Sequence, residues 1–216
     1  GSDAFGEGFN LEDAKGAREL LAGRTYTAVV GNPPYITVKD AALREKYRNR
    51  YTAAAGKYAL SAPFMQRFFA LGKGEGGFIG QITSNSFTKR DFGKTLIEKT
   101  LRELDVTYIV NTAGAYIPGH TTPTVLIFGR NRKLDPLAPR GTVLAVLAKR
   151  GEPSTPENPS EGLVWRSITA HGREITYEDD YISVEEIDRA GLDRHPWSLE
   201  GGGASQLKVT LEAHFP

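Results

Sequence analysis

The sequence contains no cysteine, one methionine and only four histidines among its 216 residues. The absence of cysteine excludes disulfide frameworks, thiolate catalysis and every metal or iron–sulfur site that needs a thiolate ligand. It also fits a reducing cytoplasm, which is where we expect the protein. No apolar run approaches the roughly 18 to 20 residues that a membrane-spanning helix needs, so no membrane contact is predicted. Scattered histidines argue against a histidine-rich metal site, and no metal is predicted.

The single methionine, Met65, lies well inside a chain that opens Gly1-Ser2-Asp3. Because translation starts at methionine, we expect either a processed chain or a fragment of a longer protein. We favour the fragment, since the motif described below needs a partner motif that these residues do not supply.

Charge is distributed unevenly, although the formal net charge is only +1. Residues 1–150 carry 22 Lys+Arg and 13 Asp+Glu, whereas residues 151–216 carry 5 and 13. The first region is therefore basic enough to face a polyanion, although solvated surfaces of different composition would give the same pattern. Three closely spaced prolines, Pro153, Pro156 and Pro159, predict a loop or linker between the two regions.

Apolar, β-branched runs predict strands in the first region, with helices between them. The predicted strands are Tyr26–Val30, Gly77–Ile82, Val106–Val110 and Thr124–Phe128. Helical spacing of apolar residues predicts helical stretches at Lys57–Leu71 and Phe92–Leu104. Pro63 predicts that the first of these helices begins close to it. This alternation indicates an α/β fold with a largely parallel sheet, in which the last two strands, joined without a helix, form an antiparallel pair.

The segment Asn32-Pro33-Pro34-Tyr35 follows the first predicted strand directly. Ligands of open α/β sheets bind beyond the carboxyl ends of strands, where this segment is expected. Its two prolines remove N–H donors and stiffen the turn, which then presents oxygens beside an aromatic ring. The Asn32 side-chain oxygen and the Pro33 carbonyl oxygen can each accept one hydrogen of an exocyclic amine, while the Tyr35 ring stacks on the amine-bearing ring. A Pro-Pro strand end with a packing tyrosine is the structural alternative.

This segment resembles the catalytic motif of amino-group methyltransferases that use S-adenosylmethionine, above all N6-adenine DNA methyltransferases of the γ arrangement. The resemblance continues through Lys57–Gly77, Phe78–Phe87 and Gly114–Arg130. Two longer strings, Asn32–Asp40 and Gly114–His120, are similar to adenine methyltransferases of type 2 BREX phage-defence systems. The resemblance implies transfer of a methyl group from S-adenosylmethionine to N6 of an adenine flipped out of double-stranded DNA. It also implies other phage-defence proteins as partners.

The resemblance implies a partial Rossmann-like methyltransferase fold, of which this chain supplies the carboxyl-terminal half of the sheet. Residues 1–135 would form the catalytic half of the domain, and residues 136–216 a linker and an irregular α+β extension towards the target-recognition region. In that extension the pattern predicts a strand at Thr142–Leu147 and a short helix at Val184–Gly191. The glycine-rich turn for the methyl donor would lie upstream, so we expect an exposed sheet edge and little or no activity from the isolated chain. Asp3 resembles a remnant of the donor's adenine contact.

Further site residues are predicted around the Asn-Pro-Pro-Tyr segment. The γ arrangement often has an aromatic residue where this chain has Ile117, so Tyr116 or His120 is predicted as a second wall of the base pocket. The structural alternative is that Tyr116 is a packing residue and His120 a loop residue.

Basic residues interleaved with aromatic ones are typical of DNA phosphate contact, and also of a solvated helix face. The predicted phosphate contacts are Lys39, Arg44, Lys46, Arg48, Arg50, Lys89 and Arg90.

Three functions are compatible with the sequence. The first is adenine-specific DNA methylation. The second is methylation of a protein glutamine amide or an RNA base, because the same turn accepts any planar amide or amine. The third is a non-catalytic fragment that binds DNA or a partner protein. The long match through Gly114–His120 and the basic segment favour the first.

Overall fold

Six strands form one sheet in the computed structural model, which describes residues 14–132, 134–135 and 138–203. The strands are β1 Ala28–Gly31, β2 Gly77–Ser84, β3 Asp105–Asn111, β4 Thr124–Asn131, β5 Thr142–Ala148 and β6 Ile182–Asp188. They lie in the order β1-β2-β4-β3-β5-β6. All four strands predicted in the first region are confirmed, and so is the strand predicted at Thr142–Leu147.

The sheet is mixed rather than largely parallel, which corrects the expected arrangement. β1 pairs with β2, and β3 with β5, in parallel. The other neighbouring pairs, β2 with β4, β3 with β4 and β5 with β6, are antiparallel. Both pairings of β4 are antiparallel because the chain returns directly from β3 into β4, which lies between β3 and β2. The predicted antiparallel pair of β3 and β4 is confirmed. The α/β class is also confirmed, because helices and strands alternate along the chain.

Helices flank the sheet. The α-helices among the described residues are α1 Ala14–Leu20, α2 Ala41–Arg50, α3 Ser61–Leu71, α4 Phe92–Thr95 and α5 Leu163–His171. α3 begins at Ser61, close to Pro63 as predicted, and the preceding Ala59 forms a bridge with Thr37. The helix predicted over Phe92–Leu104 is helical but irregular: α4 continues through a π-turn at Leu96–Thr100 and a 3₁₀ turn at Leu101–Glu103.

Each face of the sheet buries apolar side chains under different helices. On one face, α3 and the α4 region cover a core that includes Met65, Phe69, Ile79, Ile97, Leu101, Ile109 and Ile127. On the other face, α5 covers a smaller core of Val110, Val146, Val164, Ile168, Ile182 and Val184. α5 lies over β3, β5 and β6, so Val30 and Phe78 on β1 and β2 are left 77% and 52% exposed. β1 is also an edge strand, and its outer edge has no partner strand among the described residues.

Residues 138–203 add two further strands, β5 and β6, to this same sheet. The helix predicted at Val184–Gly191 is wrong, because Ile182–Asp188 is strand β6 and a 3₁₀ turn follows at Arg189–Asp193. β6 is a strand because it pairs along its length with β5. Beyond it, the Trp197 backbone N–H donates to the Thr88 carbonyl over 2.9 Å, so the chain returns to the residues that follow β2.

The proline-rich segment predicted as a loop contains no helix or strand up to Asn158, and a 3₁₀ turn begins at Pro159. Within the described ranges, no helix combines the length and the apolar character that crossing a membrane requires.

Candidate active site at the end of strand β1

The segment 32–35, called the corner below, leaves the sheet at the carboxyl end of β1, as predicted. Gly31, the last residue of β1, pairs in register with Gln81 of the parallel neighbour β2. A Cβ at Gly31 would lie 2.8 Å from the ring of Phe68. Glycine therefore lets α3 pack closely beneath the end of β1, and this contact fixes where the corner starts.

A hydrogen bond within the corner orients its amide. Asn32 is exposed, Pro33 is buried and Tyr35 is half-buried. The Tyr35 hydroxyl donates to Asn32 Oδ1 over 2.7 Å. This bond directs the amide, while the accepting oxygen keeps a second lone pair for another donor. Burial raises the pKa of the Tyr35 hydroxyl still further above neutral, and the protonated hydroxyl can donate.

The chain that leaves the corner is held by the segment before α3. The Leu60 N–H donates to the Ile36 carbonyl over 2.9 Å. The next residue, Thr37, forms an antiparallel bridge with Ala59. Val38 is buried in a small apolar cluster. The corner is therefore anchored at both ends by contacts that do not depend on its own side chains.

A pocket of about 750 Å³ opens beside Tyr35. Its volume lies within the range of about 300 to 1,000 Å³ that is typical of small-molecule sites. The pocket is lined by Tyr35, Thr37, Ala55, Gly56, Lys57, Ala59, Ser86, Arg90, Asp91, Phe92 and Thr95. Aromatic rings, hydroxyl groups and two cations thus share one cavity. This combination suits a flat ring attached to a phosphate.

Of the two predicted wall residues, the structure brings His120 against Tyr35. The two ring centroids lie 5.4 Å apart, and the ring planes cross at 75° in an edge-to-face contact. His120 Nδ1 lies 3.1 Å from the Thr122 carbonyl oxygen, so in the neutral ring Nδ1 carries the proton and Nε2 keeps its lone pair. The Tyr116 carbonyl instead accepts from the Trp165 indole N–H over 2.9 Å. Among the described residues, no ring contact joins Tyr116 to Tyr35.

Helix α2 carries the predicted phosphate contacts Arg44, Lys46, Arg48 and Arg50. The Asp40 side chain caps its start by accepting from the Leu43 N–H over 2.6 Å. Surface helices usually bury one apolar side, but α2 has no buried residue. Arg44 and Tyr47 are half-buried, with Tyr47 packed against the cluster of Val38 and Tyr58, and the other residues of the helix are exposed.

The predicted phosphate contacts are not equally available. Arg48 forms an ion pair with Glu45 and donates to the Gly56 carbonyl over 2.7 Å. Lys89 forms an ion pair with Glu200 at 2.5 Å. Within the described part of the chain, no ion pair involves Lys39, Arg44, Lys46, Arg50 or Arg90. Arg44, however, is half-buried and its Nε is buried. Lys39, Lys46, Arg50 and Arg90 are exposed, so the structure separates available cations from paired or covered ones, which the sequence alone does not do.

Several pocket residues were not predicted, and one of them has a recognisable signal. Ser86 lies in a 3₁₀ turn, Asn85–Thr88, directly after β2. Its backbone N–H donates to the Ser84 hydroxyl over 3.2 Å. Because β1 and β2 are parallel, polar residues after both strands meet at one edge of the sheet. Thr37 and Phe92 reach the pocket from a loop and a helix start, where the sequence carries no comparable signal.

The pocket beside Tyr35 does not suit a sulfonium methyl donor. Lys57 and Arg90 are cations, and Asp91 is the one carboxylate among the described residues that line the pocket. This balance suits a phosphate better than a positively charged sulfur. Asp3, the predicted donor contact, lies outside the described residues. In the described ranges, no group of three or more His, Asp or Glu side chains could hold a metal ion.

Comparison with known protein families shows the family to which this chain belongs. The family model of the Eco57I restriction-modification methylases matches residues 3–117, which is more than half of the chain. The chain belongs to the Eco57I restriction-modification methylase family. This match includes the corner and both parallel strands that flank it. The predicted resemblance to adenine DNA methyltransferases is therefore confirmed.

Two curated relatives of this Eco57I-family chain are methyltransferases. The chain is 46% identical over 208 residues to the adenine-specific methyltransferase PglX of Streptomyces coelicolor, covering 93% of the chain and 17% of that protein. It is 40% identical over 86 residues to the type II methyltransferase M.BstVI of Geobacillus stearothermophilus, covering 38% of the chain and 15% of that protein. The chain thus spans about a sixth of the length of these relatives.

The fold of the Eco57I-family chain recurs in a solved restriction enzyme. The type IIG restriction endonuclease BpuSI matches with a TM-score of 0.55 and 16% sequence identity, over 87% of this chain and 22% of BpuSI. At this level of identity the likeness shows the fold alone. The six-stranded sheet is accordingly a partial Rossmann-like methyltransferase fold, as predicted.

Proposed function

We propose that the full-length protein containing this chain is an adenine-specific DNA methyltransferase. It transfers a methyl group from S-adenosylmethionine to N6 of an adenine flipped out of double-stranded DNA. It works in the cytoplasm, in restriction-modification or phage defence, together with other phage-defence proteins. The observation that carries this proposal is the corner, where Tyr35 orients the exposed Asn32 amide oxygen and lines an adjoining pocket.

Two oxygens of the corner act on the target amine. Asn32 Oδ1 and the Pro33 carbonyl oxygen accept the two N6 hydrogens, which draws the nitrogen lone pair out of conjugation with the adenine ring. Positive charge develops on N6 during the reaction, and acceptors that are already fixed in place stabilise it. S-adenosylmethionine, when bound to the full-length protein, would supply the methyl group; the part of this chain is to hold N6 through these two oxygens.

Tyr35 has two roles in this proposal. Its ring is the surface on which the adenine stacks. Its hydroxyl holds the Asn32 amide in the direction that the amine requires. The edge-to-face contact with His120 limits the tilt of the Tyr35 ring. Together these contacts set the approach of N6, which is the main requirement of a direct transfer.

The charges around the site favour a nucleotide over a glutamine side chain. Lys57 and Arg90 line the same pocket as Tyr35. A flipped nucleotide carries phosphates that these cations can bind, whereas a glutamine amide carries none. Helix α2 adds exposed cations directly after the corner. Membership of a restriction-modification methylase family favours DNA over RNA.

Transfer of labelled methyl groups tests the proposal. The full-length protein and its Asn32→Ala variant are each incubated with labelled S-adenosylmethionine and with DNA, RNA or protein. We expect label at adenine N6 of DNA, and a loss of more than about hundredfold in the variant. Label in protein or RNA but not in DNA would overturn the proposal, and absence of label from every substrate would favour the non-catalytic alternative. The isolated chain is expected to transfer no methyl group.

A further inference from the structure

Gln81 is a buried polar residue beside the corner. Its side chain is 2% exposed, and its strand lies between β1 and β4. Ile79, two residues earlier on the same side of β2, is an ordinary apolar core residue. Gln81 Oε1 is buried and has no hydrogen-bond partner among the described residues. An apolar side chain of similar length would fill this space without burying an amide, so the fold alone does not explain the glutamine.

The amide nitrogen of Gln81 makes one long-range contact. Nε2 donates to the Ser61 carbonyl over 3.0 Å in a buried bond. Ser61 is the first residue of α3, and the helix has no side-chain capping bond from its N-cap residue, Leu60. The Gln81 amide therefore ties the start of α3, which has no side-chain cap, to strand β2.

This tie connects the two ends of the corner. On one side, Gln81 pairs in register with Gly31, directly before the corner. On the other side, Leu60 precedes Ser61 and donates its N–H to the carbonyl of Ile36, directly after the corner. The route from one end of the corner to the other thus consists of one strand pairing, one buried side-chain bond and one main-chain bond.

We infer that Gln81 is a positioning residue for the amine-binding corner, an inference that rests on the proposed function. By fixing the start of α3 against β2, it sets the separation between the two ends of the corner. That separation determines whether the Asn32 and Pro33 oxygens can hold one amine together. A displacement of about 1 Å at a reacting centre lowers rates by about hundredfold, so a polar tie that costs stability can be retained for its geometry.

Two buried substitutions in the full-length protein test this role. Gln81→Met replaces the amide by an unbranched apolar side chain of similar size. The matched control is Thr83→Val, because Thr83 lies on the same side of β2, is 1% exposed and has a hydroxyl without a partner among the described residues. We expect Gln81→Met to lower kcat by about ten- to hundredfold, with KM for DNA changed less than about twofold and Tm at or above that of the wild type. Thr83→Val is expected to keep the wild-type kcat.

Amide hydrogen exchange provides a second measurement that does not depend on methyl transfer. In Gln81→Met, the Leu60 N–H is expected to exchange at least about tenfold faster, while that of Ile127 in β4 is unchanged. Faster Leu60 exchange in a protein that methylates no DNA would contradict the proposed function but leave the structural tie intact. The inference itself is wrong if Gln81→Met keeps wild-type kcat, if Thr83→Val loses as much, or if Leu60 exchange does not respond.

Discussion

The corner and helix α2 are neighbours in the sequence, but they are built in opposite ways. The corner is anchored through Gly31 on one side and Ile36 on the other, and an internal hydrogen bond orients its amide. Helix α2 has no fully buried residue, and most of its charged side chains are exposed. The difference indicates that fixed geometry is used where charge develops on a single atom, whereas exposed cations suffice where a charged polymer must be attracted.

Substitutions should therefore separate the two regions by what they change. Those in the corner are expected to lower kcat at constant DNA affinity. Those on α2 are expected to lower DNA affinity in a salt-dependent manner at constant kcat. The largest effects should come from the corner, because a prearranged acceptor contributes more to a rate than one exposed charge contributes to binding.

The largest effect is expected for Asn32→Ala in the full-length protein. Removing one of the two amine acceptors should lower kcat by about 10²- to 10³-fold. The Kd for DNA should stay close to the wild-type value, because the variant keeps the basic residues of α2. Single-turnover methylation and fluorescence anisotropy with labelled DNA measure the two quantities. A variant that loses DNA affinity but turns over normally would mean that the corner binds DNA rather than acting on the amine.

A smaller effect is expected for Tyr35→Phe, which keeps the ring and removes the hydroxyl. Loss of the bond that orients Asn32 should lower kcat by about three- to tenfold. Tyr35→Ala, which also removes the stacking surface, should lower kcat further. Stopped-flow fluorescence of DNA with 2-aminopurine at the target position separates base stacking from the chemical step. Equal losses in Phe and Ala variants would show that the ring does not stack on the base.

The Tyr35 hydroxyl also has a pH signature. Burial raises its pKa above the ordinary 10.0, so the folded state favours the protonated form more than the unfolded state does. The associated stability is fully present below pH 10.0 and is lost as the pH rises through the higher folded pKa. Chemical denaturation above pH 10 should therefore show a smaller fall in unfolding free energy for Tyr35→Phe than for the wild type. An identical fall in both proteins would contradict the burial of this hydroxyl.

The comparison of the two regions also explains what could be predicted from the sequence. The corner could be located because an apolar β-branched run followed by Asn-Pro-Pro is a local signal. Where a strand ends depends largely on the residues next to that point. Local spacing predicts a helix where strand β6 lies, because the identity of β6 depends on pairing with β5, which local spacing does not reveal. The pocket walls Thr37 and Phe92 come together only through packing of separate elements. Availability of a cation is likewise non-local, since Lys89 is neutralised by a residue 111 positions away.

A moderate effect on binding is expected for Lys46→Ala on α2. Lys46 is exposed and has no ion pair within the described ranges. If it contacts one phosphate, the slope of log Kd against log salt concentration should fall by about 1, with kcat unchanged. Lys73→Ala is the matched control, because Lys73 is an exposed lysine in the turn before β2, at the opposite end of the sheet from the corner. Equal slopes for both variants would indicate general charge attraction rather than a phosphate contact on α2.

The smallest effect is expected for Lys89→Ala, because Lys89 is already paired with Glu200 at 2.5 Å. Both side chains are largely solvent-exposed, at 66% and 47%, so the pair itself contributes little to stability. DNA must nevertheless compete with Glu200 for this lysine, and Lys89→Ala should weaken binding less than Lys46→Ala does. Glu200→Gln removes the competing charge and should therefore strengthen binding at low salt. The gain should vanish in the double variant with Lys89→Ala, and a gain that persists there would mean that Glu200 repels DNA directly rather than through Lys89.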